Sequence, residues 1–421
     1  ALNNDGTVSV VAGVPQAIGS PSVFESATSS YISATFDSAN NKVVVVYADD
    51  GNSLYGTAVV GTVSGTSISF GTPVVYNSGT TYYTAASFDS NANKVVIAYR
   101  NGSNNNRGTA IVGTVSGTSI SFGSAAVFVP TTANYPKAVF DSNSNKIVIA
   151  YRDVANSDSG TAIVGTVSGT SISFGSAVVF NTNTTTPLSA TFDSNSNKIV
   201  IAYVDAVNSD YGTAIVGTVS GTSISFGSEV VYESANTTGS GSVVFDSSNN
   251  KVVIVYVDNG NSSYGTAIVG TVSGTSISFG LPTVFESALA YDISATFDSN
   301  ANKVVVAYSD GGSSYFGTVV VGTVSGTSIS FNSPSVFESA TTYSSAPTFD
   351  SNSNKVVIAY TDVANSSYGT GVVFTTPSTN NTSFIGITDQ AIADTATGAV
   401  IVQGGVSDKV SSLTTGSDYY V

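Results

Sequence analysis

Lys42-Val-Val-Val-Val-Tyr47 is apolar along its whole interior, whereas Ile32 to Phe36 alternates only weakly and the intervening Asp37-Ser-Ala-Asn-Asn-Lys42 is polar. A continuous apolar run of strand length implies burial on both faces. Asn and Asp tolerate turn backbone and hydrogen-bond their own chain, so the polar cluster predicts a tight turn between two antiparallel strands. Gly56-Thr-Ala-Val-Val-Gly-Thr-Val63 predicts a third strand. Ser64-Gly-Thr-Ser67 then places a glycine where a two-residue hairpin turn needs positive φ. A fourth strand is expected from about Ile68 to Tyr76.

This pattern returns seven times. Its Phe-Asp-Ser aspartates are Asp37, Asp89, Asp141, Asp193, Asp246, Asp298 and Asp350, spaced by 52 residues except for one interval of 53. A fixed period of this length marks an array of one supersecondary unit. Four antiparallel strands per period, with the inner ones apolar on both faces, describe a blade packed between two neighbours. The expected fold is therefore all-β, a seven-bladed β-propeller of four-stranded blades.

The ends of the array predict how it closes. GTVSGTSISF begins at Gly61, Gly113, Gly165, Gly217, Gly270 and Gly322, one copy fewer than Phe-Asp-Ser. The seventh unit stops after Tyr368-Gly-Thr-Gly-Val-Val-Phe374 and lacks a fourth strand, while Gln16 to Glu25 aligns with Ile68 to Asn77. Residues 14–25 are expected to supply that strand within a propeller domain spanning 1–376.

Up-and-down strands place the first and third turns of each unit on one face and the remaining loops on the other. The first set is nearly invariant from unit to unit. The loops from second to third strands, and from fourth to the next first strand, vary, and loops on a rigid scaffold are where binding residues concentrate. Seven of the 12 basic residues, Lys42, Lys94, Lys146, Lys198, Lys251, Lys303 and Lys355, sit beside the turn aspartates of the uniform face. On the variable face Arg100, Arg107, Lys137 and Arg152, with Tyr135 beside them, fall in units two and three and are expected to share one sector. Arginine forks beside a tyrosine ring suit an anionic glycan or phosphate. Tyr31, Tyr82, Tyr83, Tyr291 and Tyr343 are further sugar platforms or loop-packing residues.

Composition narrows the chemistry. The net charge of −15 makes nucleic acid and anionic membrane poor partners. With neither histidine nor cysteine, the Ser-His-Asp and thiol nucleophiles and the usual zinc sites are excluded. The turn aspartates offer one carboxylate each, too few for calcium. Asp49, Asp153, Asp205, Asp258, Asp310 and Asp362 form a second series, read as loop caps with a bound cation as the alternative. Paired carboxylates remain as acid-base apparatus, and only Asp50, Asp158, Asp210, Glu229 and Asp292 break the repeat. No catalytic residue and no cofactor is assigned, calcium apart, and the expectation is a non-enzyme.

No run of roughly 18 apolar residues is present, so no membrane insertion is expected, and neither is a signal peptide at the start ALNNDGTVSV. The absence of an initiator methionine suggests processing or an incomplete sequence. After Phe374 a polar linker, 377–383, leads to 384–421, which reads as short strands joined by glycine turns and looks cut short at Tyr-Tyr-Val421.

FIGIT…AIADTATGAVIVQGGV…LTTGSDYYV resembles the carboxyl-terminal β module of tail-fibre and other virion proteins of tailed bacteriophages, especially marine ones. The SFGSxVVF…FDSNSNKVVIAY repeat is similar to repeats in such proteins. The resemblance implies a virion or extracellular location, attachment to a host-surface glycan, and partners that are other virion proteins or copies of the chain joined through 384–421. A purely structural virion protein, or an extracellular adhesin or surface-filament subunit of a cell, are the alternatives.

Overall fold

A computed structural model describes residues 13–237, 241–378, 387–388 and 400–401. Two compact units emerge, 17–376 and the pair of segments 1–16 and 377–421. In the smaller unit Val14 bridges Ser378, and Ile387–Thr388 pairs antiparallel with Val400–Ile401. The rest of the expected 384–421 module, and most of the 377–383 linker, lie outside the described residues.

The larger unit is built from antiparallel strands. Lys42–Asp49 pairs on one side with Ser29 to Asp37 and on the other with Tyr55–Ser64. Val43, Val44, Val45, Val46 and Tyr47 are all 0% exposed, so both faces of this strand are covered, as an uninterrupted apolar run requires. The same holds at Val95 to Ala98 and Val304 to Tyr308.

The fourth strand departs from expectation. Ser67–Phe70 pairs with the end of the third strand, and the chain then breaks at Gly71-Thr-Pro73, where proline cannot donate to a ladder. Val74–Asp89 follows as one 16-residue strand. Its first half pairs with Tyr55–Ser64 and its second half with Lys94–Asn101 of the next unit. The loop expected between units is thus itself strand, because its Thr and Tyr residues favour pleated backbone despite their polarity. Ser22–Asp37, Ala126–Asp141, Val178–Asp193, Thr283–Asp298 and Ser335–Asp350 repeat this bridging strand. At the 53-residue interval the described residues form two strands, Val230–Asn236 paired with Tyr211–Ser220 and Ser242–Asp246 paired with Lys251–Asp258, which Thr237 also bridges, and the sheet as a whole is not closed.

Tyr368–Thr375 pairs with Lys355–Asp362 on one side. On the other side it meets Ala17–Ile18 and then Ser22 to Thr28, so the N-terminal segment occupies the place of a fourth strand, beginning at Ala17 rather than 14.

Neighbouring units touch backbone to backbone at one glycine. A β-carbon on Gly71 would lie 1.9 Å from the Thr118 carbonyl oxygen of the next unit's hairpin turn, and Gly280 would meet the Thr327 oxygen at 2.0 Å. Gly19 of the N-terminal strand makes the same approach to Thr66, at 1.8 Å. The corresponding residue of unit six is Asn332, whose neighbour, unit seven, carries no such turn.

A second recurring contact ties strands through a buried hydroxyl. Tyr47, Tyr256, Tyr308 and Tyr360 donate to Glu25, Glu233, Glu286 and Glu338 at 2.9–3.0 Å, and Tyr203 donates to Glu229 at 2.7 Å. Burial, together with the adjacent carboxylate, raises each of these phenols above its ordinary range. In unit three Val129 replaces the acid and the Tyr151 hydroxyl is left buried without a partner. Losing a donor to a carboxylate costs about 1.5 kcal/mol, whereas deleting an unpaired buried hydroxyl costs nothing or stabilises. Tyr308→Phe is therefore expected to lower the denaturation midpoint and Tyr151→Phe to leave it unchanged or raise it. Equal losses in denaturant melts would contradict this.

Candidate functional site

The acidic residues of the uniform face serve the backbone. Asp37 is buried and accepts from the amides of Ala39 and Asn40 at 2.9 and 3.0 Å, and Asp89, Asp141, Asp193, Asp246, Asp298 and Asp350 repeat the turn. The series proposed as a calcium alternative is similarly engaged. Asp49, Asp258 and Asp362 accept from the backbone amide three residues on, Asp205 and Asp310 from that two residues on, and Asp153 from the Thr131 hydroxyl. Among the described residues no three acidic side chains converge.

A cavity of about 800 Å³ lies where the first strands of all seven units meet. Five of the seven first strands slip register in the same way as they reach this cavity, between Ser30 and Ser33, Tyr82 and Ala85, Asn134 and Lys137, Tyr291 and Ser294, and Tyr343 and Ala346, and that of unit four shifts between Thr186 and Leu188. The slipped residues Tyr31, Tyr83, Tyr135, Asp292 and Ser344 have φ between 48° and 54° and all line the cavity. Bulges re-aim side chains. Left-handed backbone suits Asp and is unusual for tyrosine, costing on the order of 1–3 kcal/mol per residue, and such strain clusters at functional sites.

The three tyrosines form an arc across units one to three. Ring centroids of Tyr31 and Tyr83 are 5.0 Å apart, and those of Tyr83 and Tyr135 are 4.5 Å apart. Arg100 stacks over Tyr82 at 4.2 Å and Tyr83 at 4.9 Å and donates to the Asn134 side chain at 2.6 Å. Burial, then the hydrogen bond with Tyr135, pushes the Tyr83 hydroxyl up to about 12. Tyr135, Lys137 and Arg152 also line the cavity.

The structure thus brings Tyr135, Lys137 and Arg152 onto the cavity wall and sets Arg100 behind it, stacked on the wall residue Tyr83, and it leaves Arg107 out. Arg107 starts the third strand of unit two, opposite Asn101 and Thr132, and does not line the cavity. Of the expected sugar platforms, Tyr31, Tyr82 and Tyr83 pack on one another. Tyr291 and Tyr343 stay exposed, at 46% and 51%.

The repeat-breaking carboxylates are scattered among local partners. Asp50 accepts from Ser30, Asp158 pairs with Arg152 at 2.7 Å, Asp210 accepts from Asn236 and Glu229 from Tyr203. Asp292 alone of the five lines the cavity, where burial holds its carboxyl above the usual carboxylate range.

Sequence reasoning missed the cavity and the roles of Asp292, Ser344 and Ser345 in it. The cavity residues Tyr31, Tyr83, Tyr135, Asp292 and Ser344 do recur at the repeat spacing, but the positions on either side of them vary from unit to unit as well, so the column does not stand out in the sequence.

No protein-family model matches the sequence, and no curated protein does. Two solved structures share its fold. The crystal structure of the BP39L lectin from Burkholderia pseudomallei superposes with a TM-score of 0.57 at 10% identity, covering 85% of this chain and 99% of the lectin. A protein of unknown function from Dyadobacter fermentans superposes with a TM-score of 0.51 at 11% identity, covering 86% of this chain and all of that one. At such identities the likeness is one of fold alone, an all-β fold.

Proposed function

We propose that the chain is a seven-bladed β-propeller, completed by its N-terminal strand and followed by a C-terminal β module, that acts as a non-enzymatic glycan-binding attachment protein of a virion. The observation that carries the reading is the arc of Tyr31, Tyr83 and Tyr135, held in left-handed backbone beside a cavity and backed by Arg100. Rigid aromatic faces stack on the apolar side of a sugar ring, and a planar guanidinium fixes their orientation. The fold it shares with a chain named a lectin points the same way. Placement in a tail fibre rests on the resemblance of the repeat and of residues 384–421 to virion proteins.

Arg100→Ala removes the cation over Tyr82 and Tyr83 and the bond to Asn134, and is expected to weaken binding on a glycan array and to host cells at least tenfold. Arg107→Ala, outside the cavity wall, is expected to bind as wild type. Equal binding by both variants would overturn the proposed sector. Absence of binding by the wild-type chain to every glycan and every host envelope fraction would favour a purely structural place in the particle.

A further inference from the structure

Three residues beyond the register slip begins, the inward column reads Ser33, Ala85, Lys137, Ser189, Ser242, Ser294 and Ala346. Six of the seven are small, and one unit carries a lysine. Lys137 lines the cavity and is exposed to it, and among the described residues its ammonium has no hydrogen-bond or ion-pair partner. The protein atoms packed around its ammonium displace part of its hydration and lower its affinity for a proton. Among the described residues no carboxylate lies within ion-pairing distance of it, and Asp292 is the one acid that lines the cavity. Arg152 is committed to Asp158, and Asp292 takes a hydrogen bond from the Ser344 amide at 3.4 Å.

The wall also carries groups suited to hydroxyls. Ser33 and Ser189 accept from the amides of Ala86 and Val243 and keep their own O–H free to donate. A volume near 800 Å³ is within the range of small-molecule sites. One positive charge matches one negative charge. A phosphomonoester carries about −1.5 to −2 at neutral pH and would leave charge uncompensated in a chain already at −15.

We propose that the central cavity binds a carboxylate-bearing monosaccharide unit, with Lys137 Nζ on the carboxylate, the Tyr83 and Tyr135 rings against the sugar's apolar face and Ser33 or Ser189 on a ring hydroxyl. The choice of a sugar rests on the glycan-binding reading above, while the choice of an acidic one rests on Lys137 alone.

Calorimetry and saturation-transfer NMR on the full chain, with D-glucuronate and N-acetylneuraminate against glucose, N-acetylglucosamine and inorganic phosphate, test the assignment. The acidic sugars are expected to bind the wild type, to lose at least tenfold in affinity with Lys137→Met, and to recover most of it with Lys137→Arg. The acidic sugars should also raise the melting temperature of the wild type and not of Lys137→Met, whose own melt should be no lower because an unpaired charge has been removed. Undiminished binding of acidic sugars to Lys137→Met overturns the proposal, and so does a wild type that prefers neutral sugars or phosphate. Neutral sugars bound without acidic ones overturns it while leaving the glycan reading intact. A wild type that binds no sugar of either kind overturns both.

Discussion

Gly280→Ala is expected to destabilise the protein by about 3 kcal/mol or more, whereas Asn332→Ala at the equivalent position of the next unit should change stability by no more than about 0.5 kcal/mol. A methyl group on Gly280 would sit 2.0 Å from the Thr327 carbonyl oxygen, and a main-chain atom cannot rotate away as a side chain can. The Gly280 amide also donates to the Val269 carbonyl at 2.9 Å, so the residue is held from both sides. Asn332 makes the same kind of bond, to Val321 at 3.0 Å, but lies beside the unit that has no hairpin turn. Guanidinium titration of the two variants against wild type measures the difference. A mild Gly280→Ala would mean that adjacent units are not in backbone contact, and the packing described above would fail with it.

Phe24→Ala is expected to cost about 3–5 kcal/mol, as much as Phe337→Ala in the strand that joins units six and seven. Phe24 is 6% exposed, as is Phe337. Its ring lies 5.2 Å from Tyr47 and 5.4 Å from Phe70, in a core that also holds Val357, Ala359 and Val373 from the other end of the sequence. Phe337 packs 5.2 Å from Tyr360 in a core that also holds Val356, Ile358, Val372 and Phe374. A segment merely laid over the outside of a finished fold would tolerate truncation of one ring. Matching losses of midpoint in the two variants are therefore the signature of an N-terminal strand that is integral to the last unit, and a Phe24→Ala loss below about 1 kcal/mol would contradict it.

The repeat carried the unit and its pairing because a 52-residue period and strand-length apolar runs are properties of sequence alone. Lys42 to Tyr47 announces burial on both faces, and the missing copy after Phe374 announces a strand from elsewhere. The continuous strand from Val74 to Asp89 was less legible, since Thr, Ser and Tyr are shared by exposed strands and loops. The cavity was less legible still. Nothing in the type of Tyr31, Tyr83 or Tyr135 predicts left-handed backbone, which tyrosine disfavours, and without the bulge their rings would be assigned to the loop surface. Arg100 and Arg107 illustrate the limit. They are seven residues apart in sequence, yet one stacks on the tyrosine arc while the other opens the neighbouring strand. The exchange of glycine for Asn332, by contrast, was there to be read. Gly19, Gly71, Gly123, Gly175, Gly227 and Gly280 form a column with one exception, at the one unit whose neighbour lacks its turn.

That exception bears on how a chain of near-identical units counts itself. The repeats are similar enough that a shortened circuit, with unit six closing directly onto unit one and the seventh left over, would satisfy most of the same strand pairings. It would also bring Asn332 to the seat now held by Gly19, where a β-carbon meets the Thr66 carbonyl at 1.8 Å. A single side chain of no evident value to the finished core thereby penalises the miscounted assembly and leaves the complete one untouched. Asn332→Gly would be silent in the native protein and would show itself during refolding, as a larger yield of wrongly closed chains.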